Sequence, residues 1–248
     1  GEFMKLHGFK FLGILNISSV LLMLCTLICY TATPTDDLII TDNELIVNND
    51  EEFTVIIDAG HGGADPGAVS SDNVLEKDLN LLVASYVSEY LANKGIKVLM
   101  TREEDKMLSI EGSHLSKKTQ DLKARTNLAN SHPNGILVSI HMNKFSDTSV
   151  HGLQVWHSSN GRLSEILAEK IQTNVASTIQ KNNKRQIKKD NNSIYVLRNS
   201  KIPAVLVECG FLSNPDEVSL LKDKNYQQQL SKSIADGILL YLGEKTTG

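Results

Sequence analysis

The run ILVSIH at residues 136–141 is apolar with a single serine and stops at a histidine. An apolar run without alternation reads as a strand buried on both faces, as in a parallel sheet sandwiched between helices. Upstream, Phe53 to Asp58 (FTVIID) is a second such run, closed by a glycine-rich turn. Leu75, Leu79, Leu82, Val83, Val87 and Leu91 then recur at helical spacing, Gly95 ends that helix, and Ile96 to Met100 reads as a strand. Asp121 to Asn130 reads as a short helix.

Downstream, Leu153 to Trp156, Ser193 to Leu197 and Pro203 to Glu208 (PAVLVE) read as strands. Helices are expected at Leu163 to Ile179 and from about Tyr226 to Leu242. Strands alternating with helices predict one α/β domain over residues 53–243, with a mostly parallel twisted sheet flanked by helices.

The composition agrees with an ordinary globular domain. The chain has 248 residues, 41% of them hydrophobic, enough for a core without covalent staples. A net charge of −4 and 5% aromatics argue against a nucleic-acid partner. Three cysteines exclude a disulfide-rich scaffold.

The N-terminus differs from the rest. Gly1-Glu2-Phe3 reads as a cloning scar, and residues 1–10 carry Lys5 and Lys10 ahead of an uncharged apolar segment, Phe11 to Tyr30. About 20 apolar residues suffice to span a bilayer, and the flanking lysines predict export of the downstream chain. The segment reads as a signal anchor or a signal peptide; Tyr30 fits poorly at the −3 position of a cleavage site after Ala32. Residues 31–52 read as a polar tether, in which Leu38-Ile39-Ile40 and Leu45-Ile46-Val47 offer possible edge strands; residues 244–248 are a tail. Cys25 and Cys29 fall in the apolar segment, so Cys209 is the sole thiol beyond it, and a buried inert cysteine is the expectation there.

Ligands bind beyond the carboxyl ends of the strands in an open parallel sheet. Three strands end there in chemically capable groups: Asp58-Ala59-Gly60-His61, His141, and Glu208-Cys209. Glu76 opens the helix after the first strand, at the same edge. A catalytic zinc commonly takes three protein ligands, with a further carboxylate serving as general base toward water. His61, Glu76 and His141 suit the ligand roles and Glu208 the base.

Each has a plainer reading alone. DAGHGG could be a flexible turn or a phosphate cradle, Glu76 the far member of a capping box with Asn73, and His141 a core histidine. Glu208 is harder to dismiss, because an unpaired buried carboxylate is costly. Convergence at one sheet edge favours the joint reading. Asp58 reads either as orienting His61 or as a solvated turn residue, and Arg102 and Arg125 as structural ion partners. His151 is the better of the remaining histidines for touching a substrate. The basic cluster Lys181, Lys184, Arg185, Lys188 and Lys189 reads as a solvated loop, with an anionic ligand as the alternative.

These motifs resemble the zinc-dependent N-acetylmuramoyl-L-alanine amidases of the amidase_3 family. The matching segments are VIIDAGHGGADPGA (55–68), Glu76-Lys77-Asp78-Leu79-Asn80, Met100-Thr101-Arg102, LKARTNLAN (122–130), LVSIHMN (137–143) and PAVLVECGFLSN (203–214). The resemblance implies zinc on His61, Glu76 and His141, catalysis by Glu208, and peptidoglycan as the substrate, cleaved between the muramic lactyl group and L-alanine.

Two departures stand out: the long polar stretch Glu103 to Gln120, expected to shape the cleft or hold a partner, and Met142 where a small residue is usual. Only Lys144 to Val150 separate the second histidine motif from His151-Gly152, too few for the site-blocking helix of some relatives. One catalytic domain behind a membrane segment is similar to the CwlD-type amidases. That likeness implies spore-cortex maturation, an exported location in the forespore envelope, and a possible accessory protein. The competing expectations are a catalytically inactive peptidoglycan-binding or scaffold protein and a zinc hydrolase of another amide.

Overall fold

The computed structural model describes residues 53–243. The expected apolar segment 11–30, the 31–52 tether with its possible edge strands, and the 244–248 tail lie outside the described residues. Among the described residues, no helix is long and apolar enough to cross a membrane.

The elements are β1 (Thr54–Ala59), α1 (Glu76–Asn93), β2 (Lys97–Met100), α2 (Lys117–Asn130), β3 (Gly135–Asn143), β4 (Gln154–His157), α3 (Arg162–Thr178), β5 (Lys188–Lys189), α4 (Tyr195–Asn199), β6 (Ala204–Phe211), α5 (Pro215–Lys222) and α6 (Lys224–Tyr241). They form one six-stranded sheet in the order β2-β1-β3-β6-β4-β5. Strands β2, β1, β3 and β6 are mutually parallel, whereas β4 runs antiparallel to β6 and carries β5 parallel to itself. The reversal has a simple cause: residues 144–153 are too few to cross back under the sheet, so the chain turns at the top edge and descends.

Alternation along the strands sorts the core. Val55, Ile57, Val138, Ile140, Val205 and Val207 face α1, α3 and α6, meeting Leu79, Val83, Leu167, Ile171, Ile234 and Ile238. Ile56, Leu137 and Leu206 face the other way, onto Ala129 of α2 and Val196 and Leu197 of α4. Cys209 is buried in the first core with a free thiol, as expected. The second cover is the smaller one. Above it, the upper ends of the strands are left for chemistry.

The expected strand at Ser193 to Leu197 is instead the short helix α4. Asp190 Oδ1 accepts the backbone N–H groups of Ser193 and Ile194, which turns the chain just ahead of that helix. Val196 and Leu197 are then buried from one helical turn instead of from a strand. Helix α5 and the two-residue β5 were not anticipated. Asn214 caps α5 by accepting from the Asp216 and Glu217 N–H groups, with Pro215 in its first turn. Helix α2 begins at Lys117 instead of Asp121, with the Ser116 side chain accepting from Thr119 N–H.

Gly237 is where α6 meets α3 most closely. A Cβ there would stand 2.6 Å from Ile171 Cα and 3.1 Å from Ile171 N, both backbone atoms that cannot swing aside. Gly237→Ala should therefore destabilise the domain by about 1–3 kcal/mol despite alanine's better helix propensity. An unchanged or raised urea midpoint for this variant would refute the close packing of α3 on α6.

Candidate metal centre

Strand β1 carries the chain into the site, and its penultimate residue, Asp58, is completely buried. Burial pushes its carboxyl up, but the Arg125 guanidinium outweighs this, helped by the Ser139 hydroxyl, the nearby His141 and Thr101, and holds it at about 2. Arg125 Nη1 is 2.6 Å from Asp58 Oδ1, while Ser139 and Thr101 donate their hydroxyls to the carboxylate at 2.5 and 2.7 Å. Asp58 is thus neither solvated nor in contact with His61. It anchors the arginine beneath the loop.

Two arginines then hold the turn. Arg125 also donates to the carbonyls of Ala59 and His61 and pairs with Asp121, one turn earlier in α2. Arg102 donates to the carbonyls of Ala59, Gly60 and Lys77. Where the chain leaves the strand so abruptly, these donors meet the Ala59 and His61 carbonyls that the sheet ladder no longer serves. The clamp keeps His61 in the left-handed region at φ 59°, strained backbone for a non-glycine residue. Arg125 is the ion partner expected, whereas Arg102 holds the turn through backbone carbonyls.

Gly63 completes the turn at φ 54°; its N–H donates to Asp105, whose other oxygen pairs with Lys77 at 2.7 Å. The polar stretch after Arg102 therefore packs on this glycine turn.

Three side chains meet above the clamp. Donor atoms of His61, Glu76 and His141 all lie within 4.8 Å of one another, a set that could hold a metal ion. His61 Nε2 is 3.3 Å from Glu76 Oε2, and His141 Nδ1 is 2.8 Å from Glu76 Oε1. The two imidazoles stand edge to face with centroids 5.0 Å apart. Burial pushes the Glu76 carboxyl up, but His141 and His61 outweigh it and hold it well below the usual carboxylate range. Burial pulls the His61 imidazole down, and Glu76 and Asp65 more than reverse that. A divalent cation would take the place of the protons shared among these groups.

Glu76 stands at an uncapped helix start: Leu75 is the N-cap residue and makes no side-chain cap bond. The Glu76 carboxylate accepts instead from the N–H groups of Ala68 and Met142 and from Asn80 Nδ2. The capping-box reading is therefore set aside. Met142 adds a backbone donor here while its side chain is buried in the core.

Sequence reasoning missed Asp65, whose carboxylate lies 3.0 Å from His61 Nδ1 and takes the orienting place considered for Asp58. The i,i+4 separation within the glycine loop was the signal available. It also missed Asn80, which bridges Glu76 and the Gly60 carbonyl from one helical turn on. Glycines leave room for the cluster. A Cβ on Gly60 would overlap the His141 ring, and one on Gly67 would crowd Glu76 and His61.

Glu208 is directly beside His141 in the sheet register. Its Oε2 is shut off from solvent and has no hydrogen-bond partner among the described residues. Burial pushes this carboxyl up to about 7, His141 and His61 pulling it down and Glu76 pushing it further up. A cavity of about 100 Å³ opens beside the cluster, lined by His61, His141, Lys118, Leu122, Tyr195 and Leu206 among others. His151 is exposed, its Nδ1 3.0 Å from the Ser149 carbonyl, apart from the three clustered side chains.

A mostly parallel sheet with two histidines and a carboxylate converging at its carboxyl edge defines an α/β protein with a site able to hold a metal ion where such sheets bind their ligands. The chain is a member of the N-acetylmuramoyl-L-alanine amidase family, Amidase_3, whose model matches residues 55–239. It is 38% identical over 197 residues to the germination-specific N-acetylmuramoyl-L-alanine amidase of Bacillus subtilis, covering 77% of this chain and 80% of that protein. Against the probable cell wall amidase LytH of Staphylococcus aureus it is 33% identical, over 82% of this chain and 63% of that protein. Among solved structures it is similar to the CwlD amidase of Clostridioides difficile in complex with the GerS lipoprotein. There the TM-score is 0.72 at 37% identity, covering 76% of this chain and 98% of that one.

The charges lead to two expectations. Arg125→Met leaves Asp58 buried and unpaired and should cost about 3–5 kcal/mol at pH 7. The Asp58 carboxyl is depressed in the fold, so its stabilising contribution is present above the usual value of 3.8 and is lost as pH falls through about 2. The deficit of the variant in urea denaturation should therefore shrink as pH falls through that window; a pH-independent deficit would refute the pairing. Glu208 behaves oppositely in the metal-free protein. Its contribution is complete below 4.5 and is lost as pH rises through about 7. Glu208→Gln should therefore gain on the parent across that interval in chelator-treated samples, and parallel pH curves would contradict it.

Proposed function

We propose that the chain is a zinc-dependent amidase that hydrolyses the amide between the muramic acid lactyl group and L-alanine of the peptidoglycan stem peptide. The observation that carries this reading is the meeting of His61, Glu76 and His141 beside the unpartnered Glu208 carboxylate. The residues fit zinc: two imidazoles and one carboxylate leave a position open, and glycines at 60 and 67 keep the space clear. When bound, zinc supplies a Lewis acid and lowers the pKa of water to about 7.

The chain's own residues account for the rest. His61, Glu76 and His141 hold the ion, with Asp65 and Asn80 fixing the orientation of His61 and Glu76. Glu208 takes a proton from the attacking water at its free oxygen and returns it to the departing alanine nitrogen. A carboxylate with one oxygen shielded from solvent and free of donors suits both halves of that exchange. The cavity beside the cluster accepts the groups flanking the amide.

In this reading the chain acts outside the cytoplasm, in the forespore envelope, trimming stem peptides ahead of muramic lactam formation in the spore cortex; its likeness to a germination-specific amidase supports the spore context. The GerS complex of the Clostridioides difficile relative supports an accessory lipoprotein for this chain as well. Residues 11–30 would hold the enzyme at the membrane or direct its export.

Purified protein given zinc and peptidoglycan should release stem peptides that begin with L-alanine. His61→Ala and His141→Ala should lose zinc as well as rate, whereas Glu208→Ala should keep zinc and lose turnover by about a hundredfold or more. Full zinc stoichiometry in the histidine variants would sink the ligand assignment. Near-normal turnover in Glu208→Ala would sink the assignment of the base.

A further inference from the structure

On the far side of Glu208 from the metal cluster, a cation is held without an anion. Gln154 of β4 is directly opposite Glu208 in the antiparallel register and so shares its face of the sheet. Arg185 Nη1 donates to Gln154 Oε1 at 3.2 Å and Arg185 Nε to the His151 carbonyl at 2.7 Å. The guanidinium carbon is 4.6 Å from the centroid of the buried Phe211 ring, at the upper end of β6. Asn183 Oδ1 accepts the Arg185 backbone N–H and fixes the loop beneath. Each of these partners is neutral.

Among the described residues no carboxylate pairs with Arg185, and its Nη2 makes no hydrogen bond. The neighbouring acid, Glu217, spends its two oxygens on the backbone N–H groups of Gly152 and Phe211. The other members of the basic cluster behave differently: Lys181, Lys184, Lys188 and Lys189 are exposed, while Arg185 is half-buried and oriented on four sides. A planar fork held by neutral groups, with donors to spare, is suited to a carboxylate.

We infer that Arg185 is a specificity-determining residue that receives a carboxylate of the stem peptide, on the leaving-group side of the scissile amide. This rests on the amidase reading above. The geometry supports the second stem residue. Neighbouring strands are about 4.8 Å apart, so one strand spacing and one hydrogen bond put the guanidinium on the order of 8 Å from the Glu208 position. Two residues of extended chain span roughly 7 Å, which brings the free α-carboxylate of a γ-linked second residue within reach. Amidation of that carboxylate would remove the charge and one acceptor oxygen.

The test uses the full zinc-loaded chain and two soluble muramoyl-peptide fragments, one with the second-residue carboxylate free and one with it amidated. KM and kcat are measured for the parent, Arg185→Gln and Arg185→Lys. Binding of both fragments is measured in Glu208→Ala, with and without Arg185→Gln. The parent should prefer the free acid. Arg185→Gln should raise KM for the acid roughly tenfold to a hundredfold, leave kcat nearly unchanged, and barely alter the amide. Arg185→Lys should restore part of the preference. A purely structural role would weaken both fragments alike, and equal losses, or no preference in the parent, overturn the inference. Acid-selective binding that depends on Arg185, without cleavage of either fragment, would support the inference while refuting the amidase reading.

Discussion

The buried pair of Asp58 and Arg125 is the footing of the site. A carboxylate with no exposure at a strand end is tolerable only if a cation and hydrogen bonds meet it, and Arg125, Ser139 and Thr101 do so from three different elements. Such a pair is poor evidence for stability, because desolvation offsets much of its attraction. Its value is positional. Once Asp58 fixes the guanidinium, the remaining donors of Arg125 fall on the carbonyls of Ala59 and His61, and the turn has one arrangement. His61 is then held in a backbone conformation that it would seldom adopt unaided.

Glu76 and Glu208 share one neighbourhood and part in character. Glu76 sits between two imidazoles and accepts from two backbone N–H groups, so its charge is favoured despite burial. Glu208 has an oxygen with no donor, and burial dominates it. Divergent environments for paired carboxyls are how a protein separates a charged ligand from a proton carrier. The same logic keeps Cys209 out of the chemistry: burial, reinforced by the nearby carboxylates, pushes its thiol well above the usual range.

Much of the architecture was legible because the stretches leading to Asp58, His141 and Glu208 are apolar runs broken only by their chemistry. The parts that escaped did so for physical reasons. Ser193 to Leu197 is too short for periodicity to separate strand from helix, and the Asp190 side chain settled it from outside the segment. The descent of β4 is set by loop length and not by its own residues. Asp65 and Asn80 act through single hydrogen bonds, and no composition or hydropathy pattern marks a residue for that. The Asn214-Pro215 start of α5, in contrast, was a readable cap that went unread.

The polar stretch after Arg102 is tied into the site by its own side chains. Glycines at 60, 62 and 63 give the metal loop its close approach and its left-handed turns, at the cost of an unfolded chain with unusual freedom. Asp105 offsets that freedom where it is greatest, accepting from Gly63 N–H while pairing with Lys77, which in turn donates to the Gly63 carbonyl. Leu108 N–H donates to Asp121, the residue that also pairs with Arg125. The stretch therefore joins the glycine turn to the buried ion pair from the solvent side. The turn is thus held at two points, His61 from below through Arg125 and Gly63 from above through Asp105.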